Sequence, residues 1–214
     1  ALADGPGDVL VFLEGAAAIR RFISSTEARL GAEGVDVLPL FGALSSADQD
    51  RALARSPAGR RRVVVATDLA ETSLTVEGVT SVVDSGLART PRFDPGSGMT
   101  RLVTVPISQA SADQRAGRAG REGPGIAIRL WSPAEHASRR PHAEPAMLQG
   151  DLAALVLELA VWVTDPHDAA FLDPPPPGAL AAARRLLTQL GALDERGRVT
   201  QRGRSMSEVP LHPR

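Results

Sequence analysis

Residues 61–86 read RRVVVATDLAETSLTVEGVTSVVDSG. RRVVVATD and VTSVVDSG are both valine-rich and both run into polar residues, the signature of two short buried strands joined by a polar segment. Outward from this pair the rhythm repeats. Upstream, DVLVFLEG sets an apolar run, Val9–Leu13, before a glycine. AAAIRRFISSTEARLG then carries apolar residues at helical spacing with Gly31 as its stop, and VDVLPLFG is another strand. SSADQDRALA opens with a serine suited to cap a short helix. Downstream, GIAIRLW near 125–131 supplies a fifth strand. Strands alternating with helices predict an α/β domain, a parallel sheet with helices on both faces. Ligands of such sheets gather at the carboxyl ends of the strands. The polar segments after the third and fourth strands, and the arginine segment before the fifth, are therefore the candidate sites. Residues 1–7, ALADGPG, read as a flexible lead-in or a cut end.

GLARTPRFDPGSGMTRLVTVP, 86–106, breaks the alternation. Its turn cluster, Asp94-Pro95-Gly96-Ser97-Gly98, lies between two extended arms and predicts a projecting β-hairpin. From about residue 142 the character changes. EPAMLQGDLAALVLELAVWV predicts one apolar helix with Asp151 near its start, and LDPPPPG a stiff polyproline stretch. ALAAARRLLTQLG predicts a helix stopped by Gly191, ALDERGRVT a short hairpin, and QRGRSMSE a further turn or helix. Helices followed by a small hairpin indicate a mainly helical winged-helix module that breaks off at LHPR. The expected domains are 1–141 and 142–214, with Trp162, Leu186 and Leu190 in the core of the second.

A formal net charge of -1 provides no global basic field, so any nucleic-acid contact must be local. All 24 basic side chains are arginine; the absence of lysine excludes a Walker-A loop within these residues. The lack of cysteine excludes disulfides and thiolate metal sites and fits a cytoplasmic protein. The four histidines, 136, 142, 167 and 212, show no metal-ligand spacing. No apolar run reaches the ~18 residues of a membrane span.

SADQRAGRAGRE, 111–122, spaces arginines at 115, 118 and 121, which lines them along one side of a helix. Gly117 and Gly120 each cost that helix about 1 kcal/mol relative to alanine. Removal of bulk beside a phosphate-filled cleft would account for them; the alternative is a solvated arginine face. Guanidinium is a fixed, always-charged fork suited to phosphate oxygens. Supplied from outside a phosphate loop it is an arginine finger, and Gln114 can orient an attacking water. ATDLAETSLTVEG, 66–78, offers the hydroxyls of Thr67, Thr72 and Ser73 and backbone N–H groups at the sheet's carboxyl edge, groups that hold a nucleic-acid backbone without reading sequence. Glu77 can accept from a ribose hydroxyl.

VLVFLEG, PLFGALS, VVVATDLAETSLTVEGV, VVDSG, SQASADQRAGRAGRE and FLDPPPP occur in an order and spacing that resembles the DEAH-box ATP-dependent RNA helicases, most closely the bacterial HrpB group. The resemblance covers nearly the whole chain. It implies the second RecA-like domain of the motor followed by the start of the winged-helix domain. The missing lysine fits, because in this family the Walker-A loop and DEAH box lie on the first RecA-like domain. AEH at 134–136 is a decoy. The resemblance implies that Gln114, Arg118 and Arg121 approach ATP phosphates and the catalytic water, with Arg115 supporting the segment by packing or pairing. Glu77 falls near the nucleotide, where many relatives carry aspartate. Thr67 and Thr72 fall near RNA, and Gly15 and Gly42 match glycines that contact its backbone. Glu14 stands where motif IV commonly has threonine. The 86–106 hairpin, with Arg89, Arg92 and Arg101, corresponds to one near the point where a duplex parts. ATP with Mg2+ is the implied cofactor, the metal held mainly by the first domain. Single-stranded or duplex RNA and that first domain are the implied partners, with no membrane. The chain by itself is then inactive. The alternative is a non-catalytic nucleic-acid-binding or scaffold module on the same fold.

Overall fold

The computed structural model describes residues 1–3, 5–56, 59–72, 74–94, 96–121, 123–165 and 168–213. The chain begins with β1 (Asp8–Phe12), α1 (Ala16–Ala32), β2 (Val35–Leu40), α2 (Ser46–Leu53), β3 (Arg61–Ala66) and β4 (Val79–Asp84). Next come β5 (Leu87–Asp94), β6 (Met99–Pro106), α3 (Gln109–Gly117), β7 (Ile126–Arg129) and α4 (Pro133–Ser138). Helices α5 (Ala153–Val161), α6 (Pro177–Gln189) and α7 (Gln201–Ser207) complete it. Two compact units result, 1–90 with 103–143 and 91–102 with 144–214.

In the first unit, five strands form a parallel sheet in the order β2-β3-β1-β4-β7. The central strand β1 is buried at every position, and β3 at all but its first, because helices cover both faces. Alternate side chains sort accordingly. Val9, Val11, Val63 and Val65 pack with Ile19 and Leu30 of α1, whereas Leu10, Phe12, Val64 and Ala66 pack with Ala52 of α2 and with Ala119. Ser45 caps α2 by accepting the Asp48 N–H, as its sequence indicates.

Two expectations about this unit need correction. Helix α1 does not stop at Gly31 but continues to Ala32; the turn falls at Gly34, which takes φ 77°. The lead-in is not loose. Arg61 donates to the carbonyls of Leu2 (2.9 Å), Gly5 (2.6 Å) and Gly7 (2.8 and 3.1 Å), and Ala1 and Leu2 pack on the α1-side core. A guanidinium fork gathers three backbone carbonyls that apolar patterning cannot reveal.

Strands β5 and β6 pair as the expected hairpin. At its turn Asp94 accepts from Gly96 N–H and Ser97 Oγ; Pro95 of the turn cluster lies outside the described residues. Arg89, Arg92 and Arg101 are all exposed.

In the second unit, Leu152, Val156, Leu157, Leu180, Ala183, Leu187 and Leu193 form the core. Helix α6 ends at Gln189, the chain turns at Gly191 with φ 71°, and Leu193 bridges Val199 in the short expected hairpin before α7. The region 144–163 is not one helix. A 3₁₀ turn at Ala146–Leu148 precedes α5, and Asp151 accepts the Ala153 N–H at 2.9 Å, which starts a new helix instead of extending the turn. Trp162 is not core: it caps α5 at the surface with 70% of its area exposed. Leu186 packs at the edge of the core, Leu190 is half-buried, and Leu187 occupies the interior.

Candidate functional site

Helix α3 begins at Ser108, whose hydroxyl accepts the Ser111 N–H, and buries Ala112 and Arg115. It ends at Gly117, so the arginine row does not share one α-helix. Bonds from Arg118 to Arg115, Ala119 to Ala116 and Gly120 to Gly117 tighten the chain into i→i−3 turns. Side chains three apart eclipse in such turns, so the three-residue spacing still stacks the arginines. Ala119, 3% exposed, pins this turn to the sheet, and Gly125 allows the return: a Cβ there would lie 2.1 Å from the Ala119 carbonyl oxygen. Gly117 and Gly120 face no such crowding. A Cβ at Gly117 meets nothing within 4 Å, and one at Gly120 only backbone at 4.0 Å. Nothing within the described residues requires these two to be glycine.

Each arginine meets a different part of the segment between β3 and β4. Arg115, buried completely, pairs with Glu71 Oε2 and Asp84 Oδ1, each at 2.9 Å, and lies 4.7 Å over the Phe12 ring. This is the supporting role expected of it. Arg118 donates from Nε to the Glu71 carbonyl at 2.9 Å, from Nη1 to the Leu74 carbonyl at 2.8 Å, and from Nη2 again to Glu71. Arg121 is exposed and donates to Thr75 Oγ1. Among the described residues neither Arg118 nor Arg121 has an ion-pair partner. Burial, and then the charge of Arg121, push the Arg118 guanidinium below its usual range, with Glu71 opposing. The charge of an anion arriving here would offset both. Gln114 is exposed one turn before Arg118.

The row runs away from the carboxyl edge rather than along it: Arg115 meets the last residue of β4, and Arg121 meets Thr75, upstream of that strand. At the carboxyl edge itself stand Gly15 after β1, Gly42 after β2, and Thr67 after β3. Gly15 begins α1 in extended backbone, and Thr67 Oγ1 accepts the Leu69 N–H at 3.4 Å. Thr72 is exposed just beyond, while Ser73 lies outside the described residues. Glu77 is exposed and lies 3.9 Å from Arg55; its carbonyl accepts Arg62 Nη2 at 2.6 Å. The structure thus places Gln114 on α3, Arg118 and Arg121 at and beyond the turn that ends it, and the two glycines and Thr67 at the sheet edge. Glu14 is half-buried, 4.0 Å from Arg21.

Glu71 and Asp84 were not singled out from the sequence as the partners that hold Arg115. A carboxylate at the end of a buried strand needs a cation, and Asp84 at the end of VTSVVD was the available signal. The AEH decoy is a capping box, Ser132 and Glu135 satisfying each other's N–H groups at the start of α4.

Residues 2–123, more than half of the chain, match the helicase conserved C-terminal domain. The chain belongs to that family. Residues 183–211 match the winged-helix helicase associated domain (HA2). The ATP-dependent RNA helicase HrpB of Escherichia coli is 46% identical over 97% of the chain, and the splicing-factor helicase prp22 of Schizosaccharomyces pombe is 40% identical over 99%. Crystal structures of E. coli HrpB superpose with TM-scores of 0.92 and 0.88 at 44% identity over 99% of the chain. The chain spans 26% of the length of HrpB and 19% of prp22. The likeness establishes a RecA-like sheet followed by the helical HA2 region in this helicase C-terminal domain. Among the described residues no helix is long and apolar enough to cross a membrane.

Proposed function

We propose that this chain is the second RecA-like half of an ATP-driven RNA helicase motor, acting across a cleft from a first RecA-like domain that carries the phosphate loop. One observation carries the reading: Arg118 and Arg121 stand together without a carboxylate partner among the described residues, beside two glycines that crowd nothing. ATP seated on the first domain places its terminal phosphates against this turn. Arg118 spends three N–H groups on the carbonyls of Glu71 and Leu74, which aim the guanidinium, and its remaining donors take phosphate oxygens. Arg121 adds charge as it develops in the transition state, and Gln114 orients the attacking water. Glu77 meets the nucleotide ribose. The Mg2+ that accompanies ATP is held mainly by the first domain.

RNA lies along the carboxyl edge, where Gly15 and Gly42 permit close approach and Thr67 and Thr72 donate to phosphates. Hydrolysis loosens the arginine grip and lets the domains part, so that closing and opening moves the edge along one strand past the hairpin, which separates the duplex. The chain without the first domain does not turn over ATP. In the full-length protein, Arg118→Ala is expected to lower RNA-stimulated ATP turnover by about 10³-fold while RNA affinity stays within a few-fold. Turnover equal to the parent would instead make this a non-catalytic nucleic-acid-binding scaffold.

A further inference from the structure

Arg115 does more than fill space. Its two carboxylate partners belong to different parts of the unit: Glu71 follows β3 and holds Arg118 through its carbonyl, whereas Asp84 ends β4. Arg115 Nη1 also donates to the carbonyl of Leu87, the first residue of the hairpin, at 3.3 Å. The same bonds close the hairpin's root. Asp84 Oδ1 accepts the Gly86 N–H at 2.8 Å, and the Gly86 carbonyl accepts from Ile107 N–H at 3.0 Å and Arg139 Nη1 at 2.8 Å. Arg139 reaches the Ile107 carbonyl as well, at 3.1 Å, while stacked 4.3 Å over Trp131. Gly86 is indispensable there, with φ 74° and a Cβ position 2.6 Å from both Arg139 and Trp131. An unbroken series of bonds runs from Arg118 through Glu71, Arg115 and Asp84 to both strands of the hairpin.

Its middle link is incompletely used. Among the described residues, Asp84 Oδ2 and Arg115 Nη2 are both buried without a hydrogen-bond partner, although Oδ1 and Nη1 bond each other. Guanidinium and carboxylate can meet through two parallel bonds. A spare donor and a spare acceptor on the same pair give it a second arrangement within a small rotation, which is what a transmitting element requires.

We propose that Arg115 is a positioning residue that ties the grip of Arg118 to the placement of the hairpin root. This rests on the reading of Arg118 as phosphate-facing and of the hairpin as the strand-separating element. As phosphate draws on the remaining donors of Arg118, its bonds to the Glu71 carbonyl weaken. The Glu71 carboxylate shifts, Arg115 follows it, and Asp84 and Leu87 carry the displacement into the hairpin.

Arg115→Lys in the full-length protein keeps the charge but replaces a fork by a point that serves one carboxylate at a time. Asp84→Asn keeps the Arg115–Glu71 pair and removes the charge at the hairpin root. The readouts are RNA-stimulated ATP turnover, duplex separated per ATP, and the thermal midpoint. In both variants duplex separated per ATP is expected to fall about tenfold, with turnover within roughly threefold of the parent. A purely structural role lowers the midpoint and both rates in step, leaving their ratio unchanged; that result, or an unchanged ratio with both rates intact, overturns the proposal. The two readings fail separately. Parental turnover in Arg118→Ala removes the arginine-finger reading, whereas an unchanged ratio in Arg115→Lys removes only the coupling.

Discussion

Arg62→Met tests how the floor beneath Glu77 is built. Arg62 has 1% of its side chain exposed and Asp8 has 12%. Nε and Nη2 contact Asp8 Oδ2 at 2.8 and 2.7 Å, Nη1 donates to the carbonyls of Ala52 (3.2 Å) and Ala54, and Nη2 donates to that of Glu77 (2.6 Å). Methionine removes the fork and leaves the Asp8 carboxylate with the backbone N–H of residue 62 at 2.8 Å. Breaking a buried pair from one side costs about 3–5 kcal/mol. Domains hold only about 5–15 kcal/mol in all. With a urea dependence of about 2 kcal/mol per molar, the midpoint should fall by about 2 M. Trp131 and Trp162 lie in different units, so emission in a Trp162→Phe background follows the first unit alone. Arg62→Met with Asp8→Asn should recover at least half of the loss, because no lone charge is left behind. A midpoint shift below about 0.5 M, or a double variant no better than the single one, would refute the reasoning.

Two further outcomes follow from single positions. Gly117→Ala should hold or raise the thermal midpoint, since its Cβ meets nothing within 4 Å and alanine favours the helix by about 1 kcal/mol. The same change should lower ATP turnover of the full-length protein at least about tenfold by displacing the phosphates; unchanged turnover would show that nothing approaches Gly117. In acid the two exposed turns should loosen. The Arg198 N–H chiefly, with the Arg198 side chain and Arg196 N–H, holds the Asp194 carboxyl below its usual range, as Ser97 Oγ and then Gly96 N–H do for Asp94. A depressed folded-state value adds stability that is fully present above the unfolded value of about 3.9 and lost as pH falls through the lower folded value, so the Arg198 and Gly96 amide resonances should titrate below about pH 4 and not above it.

The sheet was legible because its signals are local and apolar. Val63–Ala66 are buried as their composition requires, and so are Val79 and Val82 of β4, with Val83 half-buried. The arginine–glycine segment stood out as a candidate site, but its reading as one helix failed past Gly117, because the i→i−3 turns at 118–120 preserve the three-residue spacing that suggested one. Trp162 was misplaced because the apolar run extends past the point where Val163 takes φ 57° and leaves the helix. The long-range arginine bonds were invisible. Arg61 to Leu2, Arg62 to Asp8 and Arg115 to Glu71 and Asp84 join residues far apart in sequence, and no periodicity announces which of many arginines is buried. A buried aspartate at a strand end in a chain without lysine narrows the choice only to arginine.

The account stands most directly on guanidinium donors at 118 and 121 favouring the transition state over the ground state. In the full-length protein with RNA, the affinity for ADP–aluminium fluoride relative to ADP measures that preference. The parent should favour the mimic by at least about 10²-fold, and Arg118→Ala and Arg121→Ala should each lose most of that margin while ADP affinity is kept. A margin undiminished in both variants would contradict the account.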